Sequence, residues 1–340
     1  MKLLITGGAG FVGTRLAQAL LARGTLSGQR IERLVLADQY PARVEAYGDE
    51  RVQARTGSLL ALCESLREAS RADDFDGVFH LASAVSGECE ADFELGLRSN
   101  LDSTRALLDA LRYRTEQGAT PARLVFASSV AVFGPDPALP WTGTVGDDTL
   151  PTPQTSYGTH KLICEHLIAD YTRKGYIDGR AARLMTVAVR PGRPNGAASS
   201  FFSGIIREPL AGLPASLPVS PQVSHPMSSP QRTVEGLIAV YEASREAFVG
   251  RTALNLPALN VTVQQMLDAL EQVAGPAVRA RVQPQRDERI AGIVAQWPSA
   301  ATAVRAAGLG LQPEPSFEAI IRQYIADCAA TPEALKGMRS

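Results

Sequence analysis

Short apolar runs alternate with stretches of helical spacing through the first part of the chain. Glycine or polar residues flank each run, as expected for buried strands of a parallel sheet. The predicted strands are residues 3–5, 34–37, 77–82, 123–127 and 186–189. Between them, apolar residues recur at helical spacing, most clearly at 12–20, 95–111 and 157–174. This alternation predicts an α/β fold with a doubly wound parallel (Rossmann) sheet.

A glycine-rich turn separates the first predicted strand from the first predicted helix. Gly7 allows the tight turn, Gly10 lets the backbone approach a pyrophosphate, and Gly13 lets the helix pack closely on the strand. The free N–H groups at the start of such a helix attract phosphates. The turn therefore predicts a dinucleotide site, with an ordinary glycine turn as the alternative.

An acidic residue follows the second predicted strand. Asp38 can accept hydrogen bonds from the ribose hydroxyls of an adenosine, and it would repel a 2′-phosphate. We therefore expect NAD rather than NADP as the cofactor. Arg43 keeps NADP as an alternative, and a solvated strand-end aspartate is the structural alternative.

Three further residues have the chemistry of hydroxyl oxidation. Tyr157 and Lys161 are four residues apart on a predicted helix and so share one face. A phenol can remove a hydroxyl proton if its pKa falls from about 10 toward neutrality, and a nearby ammonium favours the phenolate. Ser129, at a predicted strand end, can hold the substrate oxygen. We expect Ser129, Tyr157 and Lys161 to be catalytic, with ordinary strand-end hydrogen bonding as the alternative for the serine.

The sequence changes in character at about residue 192. Small polar residues and many prolines up to residue 230 predict the loops of a smaller α/β lobe that binds substrate. Residues 234–241, 262–275 and 317–330 are predicted helices. The expected division is residues 1–191 with 231–250 as the NAD-binding Rossmann domain, and 192–230 with 251–340 as the substrate-binding lobe.

Composition excludes several other classes of protein. The 34 basic and 35 acidic residues leave a net charge of −1, so no global field attracts nucleic acid or an anionic membrane. The four cysteines are scattered and form no metal or redox motif. No apolar run reaches the roughly 18 residues of a membrane helix, and the apolar start is too short for a signal peptide. We expect a cytoplasmic protein without a metal.

These motifs together resemble the extended short-chain dehydrogenases/reductases, the NAD-dependent epimerase/dehydratase superfamily. The resemblance covers about the first 195 residues and includes the glycine turn, Asn100, and Ser128-Ser129 ahead of Gly134. In that family the catalytic serine stands five residues before this glycine, which implies that role for Ser129. The predicted cofactor-binding residues are then Gly7, Gly10, Phe11, Val12, Gly13, Asp38, Ser58, Leu59, Leu81, Ala82, Ser83, Asn100, Ser128, Tyr157, Lys161 and Pro191.

The second half is similar to one branch of that superfamily, the D-erythronate dehydrogenases. The similar stretches are residues 84–87, 190–203 and 228–232. That branch oxidises a small sugar acid at C2 with NAD, so the resemblance implies the same reaction with Tyr157 as general base. An arginine fork suits the carboxylate, and Arg232 is the first choice, with Arg193 and Arg207 as further candidates and His225 as a second polar one. The predicted substrate-binding residues are Ser86, Ser129, Asn195, Ser200 and Arg232.

Two other functions stay open at this point. A nucleotide-sugar epimerase or dehydratase would use the same residues but retain its NAD, although the usual Tyr and second Pro are absent after Arg190. A non-catalytic NAD(P)-sensing module would not need the Ser-Tyr-Lys set. The resemblance also implies a homodimer that packs through the helices around Asn100 and after Tyr157.

Overall fold

The computed structural model describes residues 1–68, 70, 74–192 and 197–338. Its strands are β1 (Lys2–Thr6), β2 (Thr25–Leu26), β3 (Gln29–Arg30), β4 (Arg33–Asp38), β5 (Val52–Thr56), β6 (Gly77–His80), β7 (Arg123–Ser129), β8 (Thr144–Val145), β9 (Asp178–Leu184), β10 (Thr186–Val187), β11 (Ala215–Leu217), β12 (Ser224–Ser228), β13 (Leu254–Asn255), β14 (Leu259–Thr262), β15 (Val282–Pro284) and β16 (Ala300–Ala301).

The α-helices lie between these strands in the same alternation. They are α1 (Phe11–Arg23), α2 (Leu59–Glu68), α3 (Ser86–Ala91), α4 (Phe93–Gly96), α5 (Ser103–Glu116), α6 (Ser156–Arg173), α7 (Ser200–Leu210), α8 (Pro230–Glu242), α9 (Arg245–Phe248), α10 (Val263–Ala274), α11 (Pro276–Arg279), α12 (Glu288–Val294), α13 (Val304–Gly308) and α14 (Phe317–Asp327).

The main sheet consists of seven parallel strands in the order β13-β9-β7-β6-β1-β4-β5. Side chains alternate across it: Leu3 and Ile5 pack with α1 and α8, whereas Leu4 packs with α2, α5 and α6. Both faces are therefore covered, which explains the short, fully apolar strands. The predicted doubly wound Rossmann sheet is confirmed.

The strand predicted at residues 186–189 is wrong as a strand of this sheet. The sixth strand of the main sheet along the chain is β9. Its Arg180 and Arg183 are buried, and these two charged residues interrupt the apolar run by which a buried strand is predicted. Thr186–Val187 instead pairs with β12 in a separate three-stranded sheet, β10-β12-β14. Charged residues in a sequence ordinarily indicate exposure, but Arg180 pairs with the partly exposed Asp178 and Arg183 pairs with the buried Glu165.

A second apolar core builds the smaller lobe. Helices α7, α10 and α14 pack there with β11, β12 and β15, around Phe202, Met266 and Ile320. The division expected at residue 251 needs correction, because β13 (Leu254–Asn255) pairs with β9 in the main sheet. Ala306 of α13 also packs in the core of that sheet, together with Leu3 and Leu16. The remaining bounds of the two units stay a prediction.

Candidate active site

The glycine turn fits a dinucleotide. Gly7 has φ of 72°, and a Cβ there would lie 2.8 Å from the backbone N of Ala82. A Cβ on Gly13 would lie 2.2 Å from the carbonyl O of Gly7, so α1 packs on the turn only because residue 13 is glycine. Gly10 precedes α1 without a side-chain cap, which leaves N–H groups of the first turn for an anion. The residues present thus fit the pyrophosphate of NAD.

Asp38 is fixed beside this turn. Its Oδ2 accepts from the N–H of Ala9 at 3.0 Å, and its Oδ1 accepts from the N–H of Tyr40 at 3.1 Å. The N–H of Gly57 donates to the carbonyl of Asp38 at 2.9 Å, which brings Ser58 and α2 to the same edge. Ser58 Oγ accepts from the first turn of α2 at 3.2 Å. The carboxylate is therefore oriented at the end of β4, where an adenosine ribose would lie.

Asn100 holds the loop that follows β6. It is buried in a π-helical segment, Leu97–Asp102. Its Oδ1 accepts from Ser83 Oγ at 3.1 Å and from the N–H of Ala84 at 2.7 Å. Its Nδ2 donates to the carbonyl of Ala84 at 3.3 Å and to Cys89 Sγ at 3.2 Å. Since all four hydrogen-bonding positions of the amide are used, the side chain positions the loop at Ser83.

Ser129, Tyr157 and Lys161 come together at the ends of β7 and α6. Tyr157 hydrogen-bonds to Ser129, and Lys161 Nζ lies 5.5 Å from the centre of the Tyr157 ring. The buried ammonium of Lys161 donates to the carbonyl of Ala127 at 2.8 Å. A Cβ on Gly158 would lie 2.1 Å from the carbonyl O of Ala131, so this glycine lets α6 approach the strand end. The structure thus brings together the three residues that the spacing predicted.

The pKa values of this pair run against the expectation from the sequence. Burial raises the pKa of Tyr157 to about 12, although the hydrogen bond to Ser129 acts in the opposite direction. Burial also lowers the pKa of Lys161 to about 8. The ammonium lies against the phenol ring and a backbone carbonyl. For Tyr157 the loss of water outweighs the effects of Ser129 and Arg190, which favour the phenolate. In the protein alone the phenol therefore stays protonated.

Ser128 points away from Ser129. Its Oγ donates to Glu165 Oε1 on α6, and the carboxylate of Glu165 is also paired with Arg183 on β9. Consecutive residues of a strand face opposite sides of the sheet, so this difference follows from the strand itself. The cofactor-side role predicted for Ser128 therefore does not extend to its side chain, which belongs to a buried polar group.

The predicted substrate-binding residues differ in where they lie and in what they contact. Ser86 and Ser200 are partly buried at the first residues of α3 and α7. The head group of Arg232 donates to Glu235 at 2.8 Å on the same helix. Asn195, like Arg193, lies outside the described residues.

The structure does not support the substrate-binding role considered for His225 and Arg207. His225 is buried, stacked on Phe202 with 5.1 Å between ring centres, and burial lowers its pKa to about 4. Arg207 is buried and bonded to the carbonyl of Arg190 at 2.8 Å and to Glu208 at 2.6 Å. Both side chains are therefore occupied in holding the smaller lobe together.

The structure adds Arg190, which the sequence did not single out for this role. Its Nη2 donates to Ser199 Oγ at 3.0 Å, and its N–H donates to Ser203 Oγ at 3.0 Å. Its charge acts on Tyr157, whose pKa it lowers in opposition to burial. Arg190 is the first residue of the Arg-Pro-Gly stretch, which is the one signal in the sequence that points to it. The charge of Arg190 therefore reaches Tyr157, although its effect on the pKa is smaller than those of burial and of Ser129.

Among the described residues, no helix is long and apolar enough to cross a membrane. Within the same part of the chain, no group of three or more His, Cys, Asp or Glu side chains could hold a metal ion. The candidate site consists of the glycine turn and the side chains described above.

Comparison with known proteins places these features in a family. The NAD dependent epimerase/dehydratase family matches residues 3–222 of the chain. The chain belongs to this family. It is an NAD-dependent oxidoreductase of the extended short-chain dehydrogenase/reductase type, and its cofactor is NAD. The resemblance predicted from the glycine turn and the Tyr-Lys pair is confirmed.

Relatives of known function span nearly the whole chain. It is 48% identical over 331 residues to a D-erythronate dehydrogenase of Cupriavidus necator, covering 96% of this chain and 98% of the relative. It is 40% identical over 328 residues to a D-erythronate dehydrogenase of Haemophilus influenzae, covering 96% and 99%. A solved structure described as a nucleoside-diphosphate-sugar epimerase from Agrobacterium tumefaciens has a TM-score of 0.90 and 42% identity, covering 97% of this chain and 95% of that one. The predicted likeness to the D-erythronate dehydrogenase branch is thereby confirmed.

Proposed function

We propose that this protein oxidises the 2-hydroxyl of D-erythronate, or of a closely related small sugar acid, with NAD. The observation that carries the proposal is the grouping of Ser129, Tyr157 and Lys161 at the ends of β7 and α6, with the charge of Arg190 acting on the Tyr157 hydroxyl. A 2-hydroxy acid has the matching groups: a hydroxyl to be oxidised and a carboxylate one bond away. The names of the two full-length relatives support the same substrate.

The proposed roles follow from the positions of the side chains. Ser129 donates to the substrate oxygen, and the Tyr157 phenolate removes the hydroxyl proton as general base. Lys161, whose Nζ lies 5.5 Å from the centre of the Tyr157 ring, would hold the nicotinamide ribose when NAD is bound. When bound, NAD supplies the hydride acceptor and a positive ring charge. Because the pKa of Tyr157 is about 12 in the protein alone, the base has to be activated within the assembled complex.

The cofactor residues are proposed on the same basis. Gly7, Gly10 and Gly13, with the first turn of α1, hold the pyrophosphate, and Asp38 takes the ribose. The other proposed cofactor-binding residues, in chain order, are Phe11, Val12, Ser58, Leu59, Leu81, Ala82, Ser83 and Pro191. Asn100 acts through the loop at Ser83 and Ala84, since its amide is fully hydrogen-bonded there.

We propose Arg190 rather than Arg232 as the residue that binds the carboxylate. The side chain of Arg232 is about two-fifths exposed and ion-paired with Glu235. Arg190 is partly buried, held by Ser199 and close enough to Tyr157 to change its pKa. A planar fork beside the reacting hydroxyl can bind both carboxylate oxygens. Ser86 and Ser200 then complete the proposed set of substrate contacts.

Purified protein with NAD and a panel of four-carbon sugar acids tests this function through absorbance of NADH. We expect D-erythronate to give a rise, and Arg190→Met to raise KM far more than Arg232→Met. No rise with any acid, while NAD still binds, would overturn the substrate and favour the epimerase alternative. In that case NAD would stay bound through purification, and nucleotide sugars would be the next substrates.

We also propose a homodimer that packs through α5 and α6. Apolar side chains remain exposed in this region, with Phe93 59%, Tyr113 40% and Ile163 38% exposed. In the proposed dimer these side chains would be covered by the partner subunit. Light scattering of the full chain should give twice 36.2 kDa, and Ile163→Glu should give monomer. A monomeric wild-type protein at micromolar concentration would contradict this assembly.

A further inference from the structure

The proposed mechanism leaves one buried charged group unused. Glu165 and Arg183 form an ion pair whose side chains are only 5% and 6% exposed. Arg183 Nε donates to Glu165 Oε1 at 3.0 Å, and its Nη2 donates to Oε2 at 2.8 Å. Ser128 Oγ donates to the same Oε1. We call these three residues the Glu165 cluster.

The Glu165 cluster joins the two elements that carry the proposed catalytic residues. Glu165 lies one helical turn after Lys161 on α6. Ser128 immediately precedes Ser129 on β7, and Arg183 is its register partner on β9. The guanidinium of Arg183 lies 4.8 Å from the ring centre of Phe133, which restricts its position. A shift of the cluster would therefore move Lys161 and Ser129 relative to each other.

The stability of the fold does not by itself explain why this ion pair is buried. Removing two charges from water costs several kcal/mol per ion, and replacing a buried pair by apolar residues of similar volume is often neutral or stabilising. The neighbouring core of β7 and α6 is apolar, with Phe126, Cys164 and Ile168 fully buried. An apolar pair would therefore fit the same surroundings, which suggests that the charges serve the site.

Lys161 is the titratable group that the cluster affects most directly. Cys164 and Glu165 on its own helix, Cys89 on α3, His80 on β6 and Tyr157 surround it. Burial lowers the pKa of Lys161 to about 8, and Cys164, Cys89 and, with the smallest effect of the three, Glu165 act in the opposite direction. Burial also lowers the pKa of His80 to about 3, so His80 is neutral at pH 7. Glu165 is therefore the carboxylate that favours the ammonium form of Lys161.

We propose that Glu165, held by Arg183 and Ser128, is a positioning residue that maintains the Lys161 ammonium and the Ser129 strand end in their working arrangement. The proposal rests on the proposed function only for the roles of Ser129 and Lys161. Its physical content, the electrostatic dependence of Lys161 on Glu165, does not depend on which substrate the enzyme takes.

The titration of Lys161 tests the proposal directly. The chain has four lysines, Lys2, Lys161, Lys174 and Lys336, so 13C-labelling at lysine Cε gives few NMR signals, and Lys161→Met assigns the relevant one. Glu165→Gln should lower the pKa of Lys161 by about one pH unit, and Glu165→Asp, which keeps the charge, should restore most of it. Asp170→Asn, which removes an exposed carboxylate of the same helix, should leave it unchanged.

An unchanged Lys161 titration in folded Glu165→Gln would overturn the proposal and leave the cluster a packing feature. If Glu165→Gln does not fold, the variant with Glu165→Leu and Arg183→Met is titrated instead, and the pKa of Lys161 should fall by less than one pH unit, because the opposing positive charge of Arg183 is removed as well. With a working substrate, Glu165→Gln should lower kcat more than it raises KM and shift the pH profile, with recovery in Glu165→Asp. If no sugar acid is oxidised, the proposed function fails while the NMR titration still decides this inference.

Discussion

Two glycines in helices should respond oppositely to the same substitution. An alanine at Gly13 would put its Cβ 2.2 Å from the carbonyl O of Gly7 and 2.9 Å from Cα of Gly8. Both are backbone atoms and have no rotamer by which to move away. Gly292 is exposed in α12, and a Cβ added there would meet no heavy atom within 4 Å. Gly292→Ala is thus a matched control for Gly13→Ala.

The magnitudes follow from propensity and overpacking. Alanine is favoured over glycine by about 0.8–1 kcal/mol in a helix interior, so Gly292→Ala should stabilise the protein by up to that amount. At Gly13 the same gain is opposed by overpacking of about 1–3 kcal/mol. Because the contact is with rigid backbone, we expect an overpacking cost near the upper end of this range. The free energy of unfolding of Gly13→Ala should therefore fall by about 1–2 kcal/mol. The turn would also move, and we expect NAD affinity to fall at least about tenfold, or about 1.4 kcal/mol.

Thermal unfolding with and without NAD, together with calorimetric titration of NAD, measures both effects. Gly13→Ala should unfold at a lower temperature and lose most of the stabilisation by NAD. Gly292→Ala should unfold slightly higher and bind NAD as the wild type does. If Gly13→Ala keeps NAD affinity within a factor of two, the close approach of α1 to the turn is not what forms the pyrophosphate site.

Three further predictions concern the site and the smaller lobe. Tyr157→Phe should keep less than a tenth of wild-type turnover in the NADH assay, because the hydroxyl is the proposed base; higher turnover would rule out that role. Asp38→Ala should weaken NAD binding about tenfold in fluorescence titration, since charge-assisted hydrogen bonds contribute roughly 1.5–3 kcal/mol. The pKa of His225 is lowered to about 4 in the folded state, so the unfolded state binds more protons below about pH 6.5 and stability should fall as pH drops from about 6.5 to 4. His225→Gln should lose less stability over that interval in urea unfolding, and an equal loss would refute this origin.

The cofactor end of the site was predictable because its geometry is local in sequence. The contact between Gly7 and Gly13, and the start of α1 without a side-chain cap, form within one strand–turn–helix unit. Asp38 needed only the next strand of the same unit. The Ser129–Tyr157–Lys161 set was also predictable, since the ends of parallel strands meet at one edge of the sheet.

The sixth strand and the role of Ser128 could not be predicted in the same way. Arg180 and Arg183 look like exposed residues in the sequence, and only the fold shows their partners. Asp178 lies near Arg180, whereas Glu165 approaches Arg183 from another element. Burial of a charge depends on such pairing, and a search for apolar runs contains no information on it.

The choice among arginines shows a similar limit, although the sequence does contain one relevant signal. Glu235 stands three residues after Arg232, a spacing that favours an ion pair on one helix face, although the helix predicted at residues 234–241 does not reach back to Arg232 as α8 does. That pattern already weakens Arg232 as a free carboxylate ligand. Nothing comparable identifies Arg190, because its position beside Tyr157 depends on how residues 185–190 leave the main sheet toward the smaller lobe.

The direction of the Tyr157 pKa shift links these observations. Burial disfavours the ionised forms of both Tyr157 and Lys161. In the protein alone the Tyr157 phenol is therefore neutral at pH 7, whereas Lys161, with a pKa of about 8, is still mostly protonated. The same loss of water strengthens every charge that remains nearby. In this environment, from which most water is excluded, the charge of Arg190 acts on Tyr157 and the charge of Glu165 acts on Lys161. Substitution of either should therefore change ionisation more than the loss of an exposed charge, such as Asp170, at a comparable place in the sequence.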